Sequence, residues 1–165
     1  MPALAGLYTP IVTPFRHDAV DDAAIRRNVE RYMQTRLTGL VVLGSNGEAV
    51  MLDDSEAERV IVAARSAMPS SRPLIAGTGA ESTRATIAAC ARAARAGADA
   101  VLVRTPSFFK NMMTSDVFVR HYGQRDAERH GGRGRCGRQR FVIERRPLVV
   151  ERRQLVLVLS RWWAW

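Results

Sequence analysis

Between Leu7 and Tyr122 the spacing of apolar positions alternates between strand-like runs and helical stripes. Leu7 to Phe15 reads as a short strand feeding a turn, with Pro10 and Pro14 limiting its pairing. A helix should follow, capped by Asp21 or Asp22 and carrying Ile25, Val29, Tyr32 and Met33 on one side. Leu40 to Leu43 is a continuous apolar run that stops at the turn cluster Gly44-Ser45-Asn46-Gly47, the pattern of a strand buried on both faces. Ser55 and Glu58 have capping-box spacing ahead of a helical stripe of Ala57, Val60, Ile61, Ala64 and Met68. Pro73 to Ala76 is the third apolar run. Gly77-Thr78-Gly79 then turns into a helix that should start near Ser82 or Thr83, carry Ile87, Ala91 and Ala94 inward and stop at Gly97. Ala98 to Val103 contains the fourth strand, and a fourth helix should begin near Thr114, Ser115 or Asp116.

Strand then helix, repeated four times, predicts right-handed βαβ units and a parallel sheet. A repeat of about 30 residues suits a doubly wound sheet or part of a (βα)8 barrel, and periodicity does not choose between them. The chemistry concentrates in the loop after the second strand. Its glycines permit unusual backbone angles, and Ser45 and Asn46 add short polar side chains beside backbone N–H groups, so the loop can hold a small anion such as a carboxylate. A plain strand-to-helix turn would use the same residues, and both readings stay open at this point. Gly77-Thr78-Gly79-Ala80-Glu81-Ser82 begins like a dinucleotide fingerprint. It lacks the third glycine and follows the third strand instead of the first, which argues against nucleotide binding.

Composition narrows the setting. The 165 residues are 47% hydrophobic, enough for the core of one domain. The net charge of +9 is uneven: 14 basic and 12 acidic residues lie up to Tyr122, against 11 and 4 after it. Every basic residue of that last part is arginine, and Lys110 is the chain's only lysine. Cys90 and Cys136 are far apart and have no Cys or His at metal-ligand spacing, so neither a disulfide framework nor a metal site is expected. No cofactor is expected either. A reducing, cytoplasmic setting fits, with no secretory leader and no membrane-spanning run.

Taken together, the loops resemble the dihydrodipicolinate synthase and N-acetylneuraminate lyase family of Schiff-base aldolases. Tyr8-Thr9-Pro10-Ile11-Val12-Thr13-Pro14-Phe15 is similar to that family's first strand, and Gly44-Ser45-Asn46-Gly47-Glu48 to its carboxylate loop. Gly77-Thr78-Gly79 matches its third-strand turn, and Thr105-Pro106-Ser107-Phe108-Phe109 the end of its fourth strand. The form Gly-Ser-Asn-Gly-Glu, followed by Ala80-Glu81-Ser82-Thr83, looks most like the 4-hydroxy-2-oxoglutarate aldolase branch. The resemblance implies an α/β fold made of parallel (βα) units of a TIM (βα)8 barrel, truncated to about four units where a whole barrel needs about 250 residues. It implies a lyase in which a lysine condenses with pyruvate or another 2-oxo acid, and a parent enzyme that is a homo-oligomer. Ser45 and Asn46 would bind the substrate carboxylate, and Ser45 would join a proton relay with two tyrosines. One tyrosine position is occupied by Phe108, which has no hydroxyl. The second tyrosine and the Schiff-base lysine have no counterparts, and Lys110, in the loop after the fourth strand, reads as a solvated residue.

The resemblance covers residues 6 to 122, giving a division into a half-barrel at 1–122 and an irregular Arg-rich tail at 123–165. Two readings of the tail stand. It can be the product of a shifted reading frame, as its Arg and Gly content and the sudden loss of the βα pattern suggest. It can instead be a genuine basic tail contacting nucleic acid through arginines and Trp162, Trp163 and Trp165. On the first reading the chain is a truncated, inactive aldolase. On the second it is a non-catalytic half-barrel for binding or self-association.

Overall fold

The computed structural model describes residues 4–122 and 140–143. Strand β1 (Tyr8–Pro10) leads into a hairpin of β2 (Phe15–Arg16) and β3 (Ala19–Val20), followed by helix α1 (Asp22–Met33). Then come β4 (Gly39–Val42), α2 (Asp54–Ser66), β5 (Leu74–Gly77), α3 (Thr83–Arg95), β6 (Ala100–Val103), α4 (115–122) and β7 (Arg140–Ile143). The main sheet runs β1-β4-β5-β6-β7 with every pairing parallel, in a register that sets Thr9 beside Leu40, Val41 beside Ile75 and Ala76 beside Val101. Because the strands share one direction, all their C-terminal ends deliver loops to the same rim.

Both faces of the sheet are buried, as the unbroken apolar runs require. Leu40, Val42, Leu74, Ala76, Val101 and Val103 pack in the cluster that holds Ile25, Val29, Val60, Ile61 and Ala64 of the helices. Val41, Ile75 and Ala100 alternate with them and pack on the other side with Leu4, Tyr8 and Leu102. At the N-terminal rim, Arg65 binds the end of α2 to the starts of the next strands. Its guanidinium donates to the carbonyls of Met68, Pro69 and Arg72 and pairs with Asp99 at 3.1 Å. The same Asp99 oxygen accepts the Leu74 N–H at 2.9 Å.

Several expectations need correcting. The capping box of α2 belongs to Asp53 and Glu56, not Ser55 and Glu58: Asp53 accepts the N–H groups of Ser55 and Glu56, and Glu56 accepts that of Asp53. Aspartate caps as well as serine, and the earlier start satisfies more of the first-turn donors. These bonds, chiefly the one from the Glu56 N–H, hold the Asp53 carboxyl below its ordinary range. Helix α3 buries Thr86, Cys90 and Ala93, while Ile87, Ala91 and Ala94 are only half-buried. The inward face is thus turned by about 100°, one residue, from the expected stripe. Small side chains let the helix lie close to the sheet. Thr86 tolerates burial because its hydroxyl accepts the Ala80 N–H and donates to the Ser82 carbonyl. Where a turn was expected ahead of α1, the chain makes the β2–β3 hairpin, which places Arg16 against the α1 cap Asp21 at 3.0 Å. Residues 140–143, placed in the irregular tail, form a strand that pairs in parallel with β6. Cys136 and the terminal tryptophans lie outside the described residues.

Two glycines give opposite expectations. A Cβ at Gly77 would run into the Leu43 carbonyl, whereas one at Gly44 would meet open space. Gly77→Ala should therefore destabilise the protein by about 2 kcal/mol, and Gly44→Ala should stay within about 0.5 kcal/mol of neutral. Urea unfolding followed by circular dichroism measures both.

Candidate functional site at the C-terminal rim

The rim is assembled by contacts between successive loops. Leu43, just past β4, is buried with φ at 57°, a left-handed conformation that a branched side chain adopts at a cost of about 1 to 2 kcal/mol. This turns its carbonyl against Gly77 and throws the next residues outward. Ser45–Gly47 then make one tight turn, in which the Gly47 N–H donates to Gly44 and the Glu48 N–H to Ser45. Those bonds use the later donors and leave the N–H groups of Ser45 and Asn46 as the first-turn pair. Both residues are exposed. From the neighbouring loop after β1, the buried Thr13 hydroxyl donates to the Gly47 carbonyl at 2.7 Å and fixes the turn from below.

The loops after β5 and β6 are joined in the same way. The Thr78 N–H donates to the Leu102 carbonyl at 3.0 Å, and Gly79 lies against the Arg104 backbone so closely that no Cβ would fit. Glu81 is thereby carried to the start of the β6 loop. One of its carboxylate oxygens accepts the N–H groups of Ser107 and Phe108 at 2.9 and 3.0 Å. The other pairs with Arg104 at 3.0 Å. These donors, the Phe108 N–H foremost, hold the Glu81 carboxyl below its ordinary value of 4.5.

The other expected site residues take separate places. Phe108, at the position of the expected tyrosine, is 77% exposed and meets Phe109 edge to face at 4.9 Å. Among the described residues no hydrogen bond links it to Ser45 or Asn46. Lys110 is exposed at the head of the short turn Lys110–Met112. Beyond it, a cleft of about 240 Å³ is lined by Glu81, Thr83, Pro106, Met113, Val117, Arg120 and His121. The buried His121 shares a 2.8 Å hydrogen bond with Thr83 across its floor. Among the described residues no group of three or more His, Cys, Asp or Glu could hold a metal, and no helix is long and apolar enough to cross a membrane.

Sequence reasoning missed Thr13, Glu81 and Arg104. Each acts on a loop distant in sequence, and the signals near them were faint: Glu81 stood out only as a neighbour of Gly79. The Thr13 contact predicts its own test. Thr13→Val keeps the shape but leaves the Gly47 carbonyl without its donor, and should cost about 1 to 2 kcal/mol in urea unfolding. Amide exchange at Gly47 and Glu48 should rise in step.

Comparison with known proteins agrees with this geometry. Residues 3–124 match the dihydrodipicolinate synthetase family. The chain is 41% identical over 126 residues to the "Probable 4-hydroxy-2-oxoglutarate aldolase, mitochondrial" of Emericella nidulans, an overlap of 73% of this chain and 41% of that protein. To the 4-hydroxy-tetrahydrodipicolinate synthase of Methylobacterium radiotolerans it is 42% identical over 107 residues, 65% of this chain and 36% of the other. Among solved structures, a dihydrodipicolinate synthase family protein from Coccidioides immitis superposes with a TM-score of 0.73 at 32% identity, covering 84% of this chain and 42% of that one. The dihydrodipicolinate synthase of Acinetobacter baumannii, solved in complex with pyruvate, gives 0.73 at 30% identity, covering 86% and 45%. The chain thus spans less than half the length of these relatives. Its parallel sheet is the N-terminal part of their (βα)8 barrel, and the chain belongs to the dihydrodipicolinate synthetase family.

Proposed function

We propose that this chain carries the substrate-carboxylate half of a Schiff-base aldolase site and lacks the half that does the covalent chemistry. The observation that carries this is the tight turn after β4, in which Ser45 and Asn46 are exposed and the Gly47 carbonyl is held by the Thr13 hydroxyl. Two adjacent N–H groups and the Ser45 hydroxyl suit the carboxylate of a small 2-oxo acid such as pyruvate. The pyruvate complex of the Acinetobacter baumannii relative supports that choice of ligand. In the complete reaction a lysine amine adds to the ketone and expels water, and the iminium then accepts the electron pair of the adjacent carbon–carbon bond.

This chain has no residue suited to that step. Lys110 is its only lysine and is exposed on the turn beyond β6. Phe108 has no proton to pass. The chain alone is therefore a binder without turnover, and 4-hydroxy-2-oxoglutarate cleavage belongs to a complete barrel.

The test uses the full 165-residue chain. Pyruvate should shift the backbone amide resonances of Ser45 and Asn46, and Ser45→Ala should weaken that binding by about fivefold. Borohydride treatment with pyruvate should leave the intact mass unchanged. A pyruvate adduct on Lys110, or steady aldol cleavage by the purified chain, would overturn the reading.

A further inference from the structure

The loop leaving β6 has little of its own to hold it. Ser107, Phe108 and Phe109 are exposed, and the Phe108 ring touches Phe109 across its edge without entering the core. Its backbone is nevertheless tied down at two successive residues, and both ties end on one oxygen of Glu81. Glu81 is itself brought there by backbone packing, because Gly79 rests on Arg104 and Thr78 donates across to Leu102. Arg104 completes the arrangement. Its guanidinium pairs with the other Glu81 oxygen at 3.0 Å and donates to the Ser107 hydroxyl at 3.1 Å, which keeps the carboxylate turned toward the two N–H groups.

We infer that Glu81 is a positioning residue: its carboxylate clamps the backbone of Ser107 and Phe108 and so sets where the side chain at position 108 stands on the rim. This rests on the reading of that rim as a 2-oxo acid site. Two N–H donors on one carboxylate oxygen make a charge-assisted contact that fixes direction as well as distance. The clamp grips main chain only, so it works whatever side chain is at 108. A phenylalanine and a tyrosine would be presented in the same place, and the missing hydroxyl at Phe108 changes the chemistry of the position without changing its geometry.

The clamp depends on charge, and this gives it a signature. The carboxyl titrates below its ordinary 4.5 because the ionised form is the one that accepts the N–H groups. The contact is therefore complete above that value and is lost as pH falls through the lowered native one. The charged and titratable groups facing Glu81 are Arg104 on its own side and, across the cleft, Arg120 and His121 of α4.

Amide exchange by NMR on the full chain, from pH 7 down to the acid range, tests this. In the wild type, Ser107 and Phe108 should be protected at neutral pH and lose protection together at one acid midpoint, while the amides of β6 stay protected. Glu81→Gln should raise exchange at both residues by about tenfold at neutral pH and abolish the acid step. Glu81→Asp, too short to reach both, should keep an acid step with weaker protection. Phe108→Tyr should leave the wild-type profile intact. Unchanged protection in Glu81→Gln, or an acid step at Ser107 and Phe108 that survives it, would overturn the inference. Pyruvate shifts at Ser45 and Asn46, recorded on the same samples, should persist in Glu81→Gln. Their absence in the wild type would count against the proposed carboxylate site and leave the clamp standing.

Discussion

Where β4 ends, the Leu43 backbone turns into a left-handed conformation and its carbonyl comes to rest on Gly77. The rest of the rim depends on that approach. It fixes the distance between the exits of β4 and β5, and it leads into the Ser45–Gly47 turn, whose first two residues are exposed. A side chain at position 77 would push the two exits apart. Leu43 meets the conformational cost because its side chain is buried, so the turn is held from the core side.

From this contact the rim reads as a row of loops, each tied to the next. Thr13 links the β1 loop to the β4 loop, the Leu43 and Gly77 contact links β4 to β5, and Gly79 with Glu81 links β5 to β6. The ties differ in chemistry: a buried neutral hydrogen bond, a steric fit, and an exposed charge-assisted clamp. Only the last responds to pH, and it lies at the end of the row farthest from the proposed carboxylate loop.

The opposite rim has a different task. Arg65 and Asp99 neutralise each other while satisfying three carbonyls and one N–H at the junction of α2 with β5 and β6. None of those groups reaches the site. Contacts that hold the βα units together thus sit at the N-terminal ends of the strands, and the groups with chemical potential sit at the C-terminal ends, as expected for a barrel of this type.

The sequence alone determined what depends on local periodicity and local chemistry. The strand-length run Leu40 to Leu43, the stripe of α2, the caps at Asp21 and Ser82 and the family-like loops were all legible, because burial pattern and turn preference are written within a few residues. The barrel itself became legible only through the loop resemblance, since strand and helix spacing is the same in an open sheet. What the tertiary structure decided is what depends on partners distant in the chain. The inward face of α3 follows the closeness of helix to sheet, which favours Thr86, Cys90 and Ala93 over the larger Ile87. The hydroxyl of Thr13 and the carboxylate of Glu81 find their partners 34 and 26 residues away, and no local pattern marks such a pair. A hydrogen bond across loops is specified by where two strands end in space, and only the folded sheet sets that distance.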